Sequence, residues 1–258
     1  MTETCILLVG YGWFAGIPEG ETNNSEMIAR ALDGKTLEAV RPCGETIRAR
    51  ICSLIIPVVW NDAFPLVKEA IERLHPGLVL AMGTDARASS LRPEPYGVNW
   101  QRGTDALPDN PALQTTVDGP ILSDGAPWLR GTLPYEAMVT AALQRGVPAQ
   151  LGALLPARED VPLPHMATPG LYLCNKMTYL LADYSKNTGL PAGFLHVPTQ
   201  PAYAARHRLA LLEQAAPGER SAIAERPIAA MPLDMMVEGV QAMLTACLIP
   251  FTSPCDRE

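Results

Sequence analysis

Residues 61–83, NDAFPLVKEAIERLHPGLVLAMG, contain a helix pattern followed directly by a buried-strand pattern. Apolar residues recur at helical spacing from Phe64 to Leu74, and this spacing predicts an amphipathic helix. Pro76-Gly77 then ends the helix, and the apolar run from Leu78 to Gly83 predicts a strand buried on both faces. A helix that leads straight into such a strand is typical of a parallel α/β sheet.

The same alternation recurs along the rest of the chain. Further strands are predicted at Cys5–Gly10, in the second half of Ile47–Trp60, and at Ala149–Leu155, Leu171–Leu173 and Gly193–Val197. Further helices are predicted between an N-cap at Ser25 and Gly34, at Tyr135–Arg145, between the Leu171–Leu173 strand and Ser185, and at Pro232–Leu248. Since no linker or repeat divides this pattern, we predict a single three-layer α/β/α domain over residues 1–258, with a mostly parallel twisted sheet.

Composition and charge exclude several classes of protein. Of the 258 residues, 48% are hydrophobic and 18% are charged, which excludes intrinsic disorder. A net charge of −7 and the absence of extended Lys/Arg runs disfavour a nucleic-acid or anionic-membrane partner. The apolar runs are shorter than the roughly 20 residues of a membrane-spanning helix. Six scattered cysteines are typical of reduced thiols, so we expect a soluble cytoplasmic protein.

Three chemically active residues lie at or near predicted strand ends, where doubly wound sheets place their sites. They are Glu94, Cys174 and His196. A thiol at a helix start is favoured as a nucleophile, a neighbouring imidazole can move its proton, and a carboxylate can orient the imidazole. Backbone amides after Cys174 could bind an oxyanion. From the residues alone, a core role for Cys174 or His196 stays open.

The remaining candidate groups point away from cofactor chemistry. No group of His, Cys or carboxylates has metal-ligand spacing, and the glycines at 10, 12 and 16 do not form a dinucleotide fingerprint, so we expect neither metal nor cofactor. Cys5, Cys52 and Cys247 are expected in the core, and Cys43 and Cys255 as surface thiols. The aromatic residues between Tyr11 and Phe14 predict either a core lid or the wall of an apolar pocket.

Five short motifs follow one another along the chain: Gly10-Tyr-Gly-Trp-Phe14-Ala-Gly16, Pro93-Glu94-Pro95, Pro108-Asp109-Asn110, Gly170-Leu-Tyr-Leu-Cys174-Asn175 and Gly193-Phe-Leu-His196-Val-Pro198. The last two are similar to the patterns Gly-Thr-(Tyr/Phe)-Val-Cys-Asn and Gly-Phe-(Ile/Leu)-His-(Ile/Val)-Pro. These are the cysteine and histidine motifs of the pyroglutamyl peptidase I family, also called pyrrolidone-carboxylate peptidases. The chain therefore resembles a divergent member of this family of cysteine peptidases over nearly its whole length.

The resemblance implies an activity and roles for individual residues. The activity is removal of an N-terminal pyroglutamyl group from a small peptide or amide substrate through a thioester acyl-enzyme. Cys174 would be the nucleophile, His196 the general acid and base, and Glu94 the carboxylate that orients His196. The residues implied to bind the substrate are Tyr11, Phe14 and Tyr172, which would line the lactam pocket, together with Thr84 and Arg102. Members of the family commonly assemble as homodimers or homotetramers, which is therefore implied here.

The chain also departs from the family pattern close to the substrate. Gly-Gln-Ala-Gly-Gly-Arg of the family becomes Gly83-Thr-Asp-Ala-Arg-Ala88, which loses the Gln and both following glycines. The family arginine is replaced by Ala106, and Arg102 is expected to occupy its place. A Pro-rich insertion at about 156–169 precedes the cysteine motif. These changes keep two alternatives open: a cysteine amidase for another small lactam or N-acyl amide, and a catalytically silent binding homologue.

Overall fold

A six-stranded sheet forms the centre of the protein. The computed structural model describes residues 4–14, 22–105, 114–156 and 165–249. In spatial order the strands of the sheet are β2 (Thr36–Val40), β3 (Thr46–Ile56), β1 (Thr4–Tyr11), β4 (Leu78–Thr84), β12 (Ala192–Val197) and β5 (Arg92–Glu94). The four central strands are parallel, and β2 and β5 run antiparallel at the two edges. The predicted mostly parallel sheet is confirmed.

Seven helices accompany this sheet in the described ranges. They are α1 (Asn24–Leu32), α2 (Ala63–Leu74), α3 (Tyr135–Gln144), α4 (Leu173–Thr188), α5 (Pro201–Gln214), α6 (Arg220–Glu225) and α7 (Leu233–Leu248). Successive side chains of a strand point to opposite faces of the sheet. Ile6 and Leu8 of β1 accordingly pack in the core formed with α1, α3 and α7, whereas Leu7 and Val9 pack in the core formed with α2 and α4. Burial on both faces explains why β1, β4 and β12 are continuous apolar runs.

Three antiparallel strand pairs lie outside the central sheet. They are β6 (Tyr96–Val98) with β9 (Trp128–Arg130), β7 (Gln101–Thr104) with β8 (Thr116–Gly119), and β10 (Leu154–Pro156) with β11 (His165–Ala167). Residues 157–164 of the predicted Pro-rich insertion lie outside the described residues. No helix in the described part of the chain is long and apolar enough to cross a membrane.

Two predicted strands are wrong. Ala149–Leu155 was expected to be a strand, but only Leu154–Pro156 is extended, in the pair with β11, and Ala149 makes an isolated bridge with Leu91. Leu171–Leu173 is not a strand, because the chain turns at Gly170 and α4 begins at Leu173. Periodicity cannot distinguish such short apolar runs from loop or helix segments.

Other boundaries and elements differ from the sequence prediction. The N-cap of α1 is Asn23, whose side chain accepts a hydrogen bond from the Ser25 backbone N–H, so Ser25 lies inside the helix. The strand predicted in the second half of Ile47–Trp60 begins earlier, at Thr46. The edge strand β2 and the helices α5 and α6 were not predicted; α5 and α6 bury no residue, so they lack the apolar stripe that indicates a helix.

The cysteines agree with the sequence prediction only in part, because Cys5 and Cys52 were expected in the core and are only partly buried. Cys5, Cys52, Cys174 and Cys247 are free, and Cys247 is buried as expected. Cys43, in contrast, is disulfide-bonded, which corrects its assignment as a reduced surface thiol. Cys43 is exposed in the turn between β2 and β3. A disulfide at this position does not disturb the core, and its formation requires only a second thiol at the right distance. The other predicted surface thiol, Cys255, lies outside the described residues.

Candidate active site

The three predicted catalytic residues converge at the carboxyl edge of the parallel sheet. His196 in β12 pairs with Gly83 in β4, and β5 brings Glu94 alongside β12 on its other side. A Cβ atom added to Gly83 would lie 2.9 Å from the Cys174 Sγ, so the thiol lies directly against the end of β4. Cys174 is in the first turn of α4, which confirms the predicted helix start, whereas the strand predicted before it is absent.

Glu94 and His196 form a buried pair. The Glu94 Oε1 is 2.9 Å from the His196 Nδ1, and the two residues are 0% and 4% exposed. A protonated Nδ1 donates to this carboxylate, which leaves Nε2 as the other hydrogen-bonding atom of the ring. On its other side, His196 interacts electrostatically with Cys174, and the two residues line the same cavity. The order carboxylate, imidazole, thiol is the geometry that a cysteine nucleophile with a general base requires.

The charges around His196 favour its protonated form. Burial alone would lower the pKa of His196, but the negative charge of the Cys174 thiolate and the hydrogen-bonded Glu94 carboxylate outweigh it and raise the pKa to about 9. At neutral pH the site therefore holds an imidazolium beside the Cys174 sulfur. The imidazolium can give a proton to a leaving amine, which is the step that amide cleavage needs.

Further groups that the sequence did not indicate hold the Glu94 carboxylate. The Arg92 Nε donates to the Oε1 at 2.6 Å, and the Thr168 hydroxyl donates to the Oε2. A Cβ atom at Gly152 would collide with the same carboxylate, so only glycine fits beside it. Arg92 lies two residues before Glu94 in β5 and so shares its face of the strand, which was a usable signal. Thr168 and Gly152 are brought to Glu94 by the fold and had no such signal.

The start of α4 offers backbone donors next to Cys174. No side chain caps this helix at its N-cap residue Tyr172. The first N–H groups of a helix have no partner within it and carry partial positive charge. They can therefore stabilise an oxyanion that forms on a carbonyl attacked by Cys174.

A small cavity of about 160 Å³ lies on one side of Cys174. Its lining residues are Tyr11, Phe14, Asn23, Val58, Gly83, Thr84, Tyr172, Leu173 and Cys174. Four of the predicted substrate-binding residues, Tyr11, Phe14, Tyr172 and Thr84, thus meet in one mainly apolar cavity. A cavity of this size and composition suits a small ring or short acyl group.

Asn23 supplies a polar wall to this small cavity and was not predicted. Its Oδ1 accepts hydrogen bonds from the Thr84 hydroxyl at 2.6 Å and from the Ser25 backbone at 3.1 Å, and its Nδ2 donates to the Gly12 carbonyl at 3.0 Å. The Asn23 side chain therefore both caps helix α1 and forms part of the cavity wall. The family motif that continues through Gly16 lies outside the described residues from position 15 onward.

Arg102 is the one predicted substrate-binding residue that the structure places elsewhere. Its Nε donates to the Asp118 Oδ1 at 3.0 Å, its side chain is 45% exposed, and it lines neither this small cavity nor the larger one described next. The pairing of β7 with β8 directs it toward Asp118. Ala106 and Pro108-Asp109-Asn110 lie outside the described residues.

A larger cavity of about 580 Å³ also has Cys174 in its wall and shares Phe14 and Thr84 with the small cavity. Its lining residues are Phe14, Thr22, Asn24, Met27, Thr84, Asp85, Ala86, Arg87, Pro169, Cys174, His196, Thr199, Gln200, Ala202, Tyr203, Arg206 and His207. The loop after β4 and the first turns of α5 form most of its wall. Cys174 thus lines both a small, mainly apolar cavity and a larger cavity with more polar side chains in its wall, as a cysteine that transfers a small acyl group from a longer molecule would.

Asn175 fixes the loop segment that faces the start of α4. Its Oδ1 accepts from the Val98 N–H at 2.9 Å, and its Nδ2 donates to the carbonyls of Val98 at 2.9 Å and Trp100 at 2.8 Å. These bonds lock α4 to β6, which follows directly on the strand that carries Glu94. Cys174, the candidate nucleophile, is therefore followed directly by a residue that holds the start of α4 against the backbone of Val98 and Trp100.

Comparisons with known proteins agree with this geometry. A family model described as pyroglutamyl peptidase matches residues 4–248. The chain belongs to the pyroglutamyl peptidase family. The predicted family is thereby confirmed, and with it the class of cysteine exopeptidases.

Relatives and solved structures of this family cover most of the chain. A pyrrolidone-carboxylate peptidase from Klebsiella pneumoniae is 33% identical over 205 residues, which cover 78% of this chain and 81% of the relative. One from Pseudomonas fluorescens is 29% identical over 246 residues, covering 95% and 93%. The structure of a mutant pyrrolidone carboxyl peptidase from Pyrococcus furiosus has a TM-score of 0.70 at 23% identity and covers 96% of this chain and 100% of that chain. At this low sequence identity, the Pyrococcus furiosus structure supports the fold alone.

Proposed function

We propose that the protein removes an N-terminal pyroglutamyl group from a peptide or amide, with Cys174 as the nucleophile. The observation that carries the proposal is the hydrogen-bonded Glu94–His196 pair next to Cys174, whose thiol lines a cavity of about 160 Å³. Family membership supports the reaction, and the position of the thiol in the walls of two cavities of different size supports an exopeptidase.

The proposed reaction takes two steps of acyl transfer. In the first, the Cys174 sulfur forms a bond to the pyroglutamyl carbonyl carbon, and its oxygen becomes an oxyanion facing the α4 amides. The carbon–nitrogen bond then breaks as the His196 imidazolium gives its proton to the leaving amine. In the second step, His196 takes a proton from water, hydroxide attacks the thioester, and pyroglutamate leaves while the thiolate and the imidazolium are restored.

The small cavity is proposed to hold the lactam ring. The flat ring packs between the aromatic side chains of Tyr11, Phe14 and Tyr172, and its N–H and C=O are polar groups that need partners. Thr84 and Asn23 lie in the cavity wall and can supply them. The rest of the peptide would leave through the larger cavity.

The deciding experiment compares two substrates that differ only in the ring. We expect release of aminocoumarin from pyroglutamyl-aminocoumarin and none from prolyl-aminocoumarin, which lacks the lactam carbonyl. Absence of turnover with rapid iodoacetamide labelling of Cys174 would contradict the pyroglutamyl proposal. It would favour an amidase for another small lactam or N-acyl group. Saturable pyroglutamate binding with an unreactive Cys174 would favour a silent homologue.

Val58→Phe tests whether the small cavity is the acyl pocket. Val58 is buried and lines the small cavity but not the larger one. A phenyl ring at this position would therefore occupy the space proposed for the lactam. We expect kcat/KM for pyroglutamyl-aminocoumarin to fall by at least about tenfold, while the rate of Cys174 alkylation stays unchanged. Val40→Phe, on an exposed position of β2, is the matched control. Equal kinetics for both variants would place the acyl group elsewhere.

Domain organisation, assembly and location are also proposals. We propose one domain over residues 1–258 with an insertion at about 156–169, consistent with the family match over residues 4–248. A homodimer or homotetramer is supported by apolar side chains that α5 exposes, Leu209 and Leu211. A cytoplasmic location is supported by four free cysteines, although the Cys43 disulfide is typical of an oxidising compartment. Sedimentation analysis and cell fractionation test the last two proposals.

A further inference from the structure

Arg92 lies between two carboxylates at the buried end of the proposed catalytic series. Its Nη2 donates to the Asp85 Oδ2 at 2.7 Å, and its Nε donates to the Glu94 Oε1 at 2.6 Å. The same Nη2 lies 3.3 Å from the His196 Nδ1. Side-chain exposure is 14% for Arg92, 9% for Asp85 and 0% for Glu94. Charges this little exposed to water interact strongly with one another.

We propose that Asp85 and Arg92 are a positioning pair that holds Glu94 against His196 and sets the pH at which His196 loses its proton. The proposal rests on the assignment of Glu94 and His196 to the catalytic series. Neither residue needs to touch the substrate, because Asp85 acts through Arg92 and Arg92 acts on Glu94 and on the neighbouring His196 ring. Asp85 lies in the loop that departs from the family pattern.

Two anions, Asp85 and Glu94, are paired with two cations, Arg92 and His196. One oxygen of Glu94 faces both Arg92 and His196, so the two cations compete for it. When Asp85 pairs with Arg92, the negative charge of Glu94 is left to balance the imidazolium. Without Asp85, Arg92 would neutralise Glu94 itself, and the imidazolium would lose its counter-ion.

The pKa of the Asp85 carboxyl agrees with this arrangement. Burial would raise that pKa, but the Arg87 backbone N–H, the Arg92 guanidinium and the charge of His196 together lower it to about 2. Asp85 therefore stays ionised throughout the pH range in which His196 titrates. Because the charge of His196 contributes to this lowering, the charge of Asp85 acts on His196 in return.

The charged and titratable groups that face His196 come from several elements. Cys174 approaches from α4, Glu94 and Arg92 from β5, and Asp85 from the loop after β4. Three more groups line the same larger cavity: Arg87, whose side chain is 87% exposed, and Arg206 and His207 of α5. Exposed charges are screened by water and salt, so the buried pair next to Glu94 should dominate.

Opposite charge changes at the two residues should shift the titration of His196 in opposite directions. Asp85→Asn removes an anion and frees Arg92 to neutralise Glu94, so the pKa of His196 should fall by about one unit. Arg92→Gln leaves Glu94 to His196 alone, so the pKa should rise by a similar amount. Arg92→Lys keeps the charge and should stay close to wild type. The basic limb of kcat/KM should move with each pKa.

The measurement is an NMR titration of the histidine ring protons in the full chain. The protein has four histidines, and a His196→Gln variant identifies the signal of His196. Glu38→Gln is the matched control, because it also removes one carboxylate charge but from an exposed pair with Arg48. It should leave the titration of His196 unchanged.

The outcomes separate this proposal from the proposed function. Unchanged titration in Asp85→Asn, or shifts of the same sign in Asp85→Asn and Arg92→Gln, would overturn the positioning role. If Arg92→Gln does not fold, the direction in Asp85→Asn decides alone. The titration needs no substrate, so its result stands even if pyroglutamyl-aminocoumarin is not cleaved.

Discussion

Cys174→Ser is expected to reduce kcat/KM for pyroglutamyl-aminocoumarin by more than about a thousandfold. A serine hydroxyl has nearly the size of the thiol but is a much weaker acid. It therefore does not readily form the anionic nucleophile that attacks the carbonyl carbon. Cys174 is only partly buried, and its sulfur lies against Gly83, so the exchange leaves the packing of β4 and α4 intact. The far-ultraviolet circular dichroism and the midpoint of urea unfolding should match the wild type.

Cys52→Ser provides the control for this prediction. Cys52 is another free, partly buried cysteine, in β3 and on neither cavity wall, so its replacement should leave kcat/KM unchanged. Iodoacetamide should inactivate the Cys52→Ser protein as fast as the wild type. Full turnover by Cys174→Ser would remove Cys174 from the reaction and with it the proposed mechanism.

The central sheet could be predicted from the sequence because its strands are buried on both faces. β1, β4 and β12 are continuous apolar runs bounded by loops, and each was found within two residues of its true limits. The segments at Ala149–Leu155 and Leu171–Leu173 are equally apolar but too short for periodicity to assign. Their structure depends on contacts far along the chain, such as the bridge between Ala149 and Leu91.

The candidate site divides in the same way. Cys174, His196, Glu94 and the aromatic residues of the small cavity stand in motifs, so the sequence pointed to them. Other groups act through the fold and carry no motif. They are Asn23, Arg92, Gly152 and Thr168. Arg102 is the opposite case. Its closeness in sequence to Ala106 suggested that it binds the substrate in place of the family arginine, but its side chain pairs with Asp118 instead.

Glu94→Gln is expected to damage both catalysis and stability. Arg92, His196 and Thr168 all donate hydrogen bonds to this carboxylate, which is completely buried. An amide has one accepting oxygen and one donating nitrogen, so it can accept from Arg92 and His196 only if the Thr168 hydroxyl turns from donor to acceptor, and otherwise two donors face each other. His196 would also lose the negative charge that raises its pKa, and with it the imidazolium that protonates the leaving amine.

The expected loss for Glu94→Gln is about a thousandfold to ten-thousandfold in kcat, as for amide replacement of an orienting carboxylate in a catalytic triad. The free energy of unfolding should fall by about 3 kcal/mol, because the buried Arg92 keeps only Asp85 as a partner. Urea unfolding and steady-state kinetics measure the two effects separately. Glu136→Gln, in an exposed pair with Arg130, should change neither. A Glu94→Gln protein that loses stability but keeps its kcat would show that Glu94 supports the fold and does not orient His196 during the reaction.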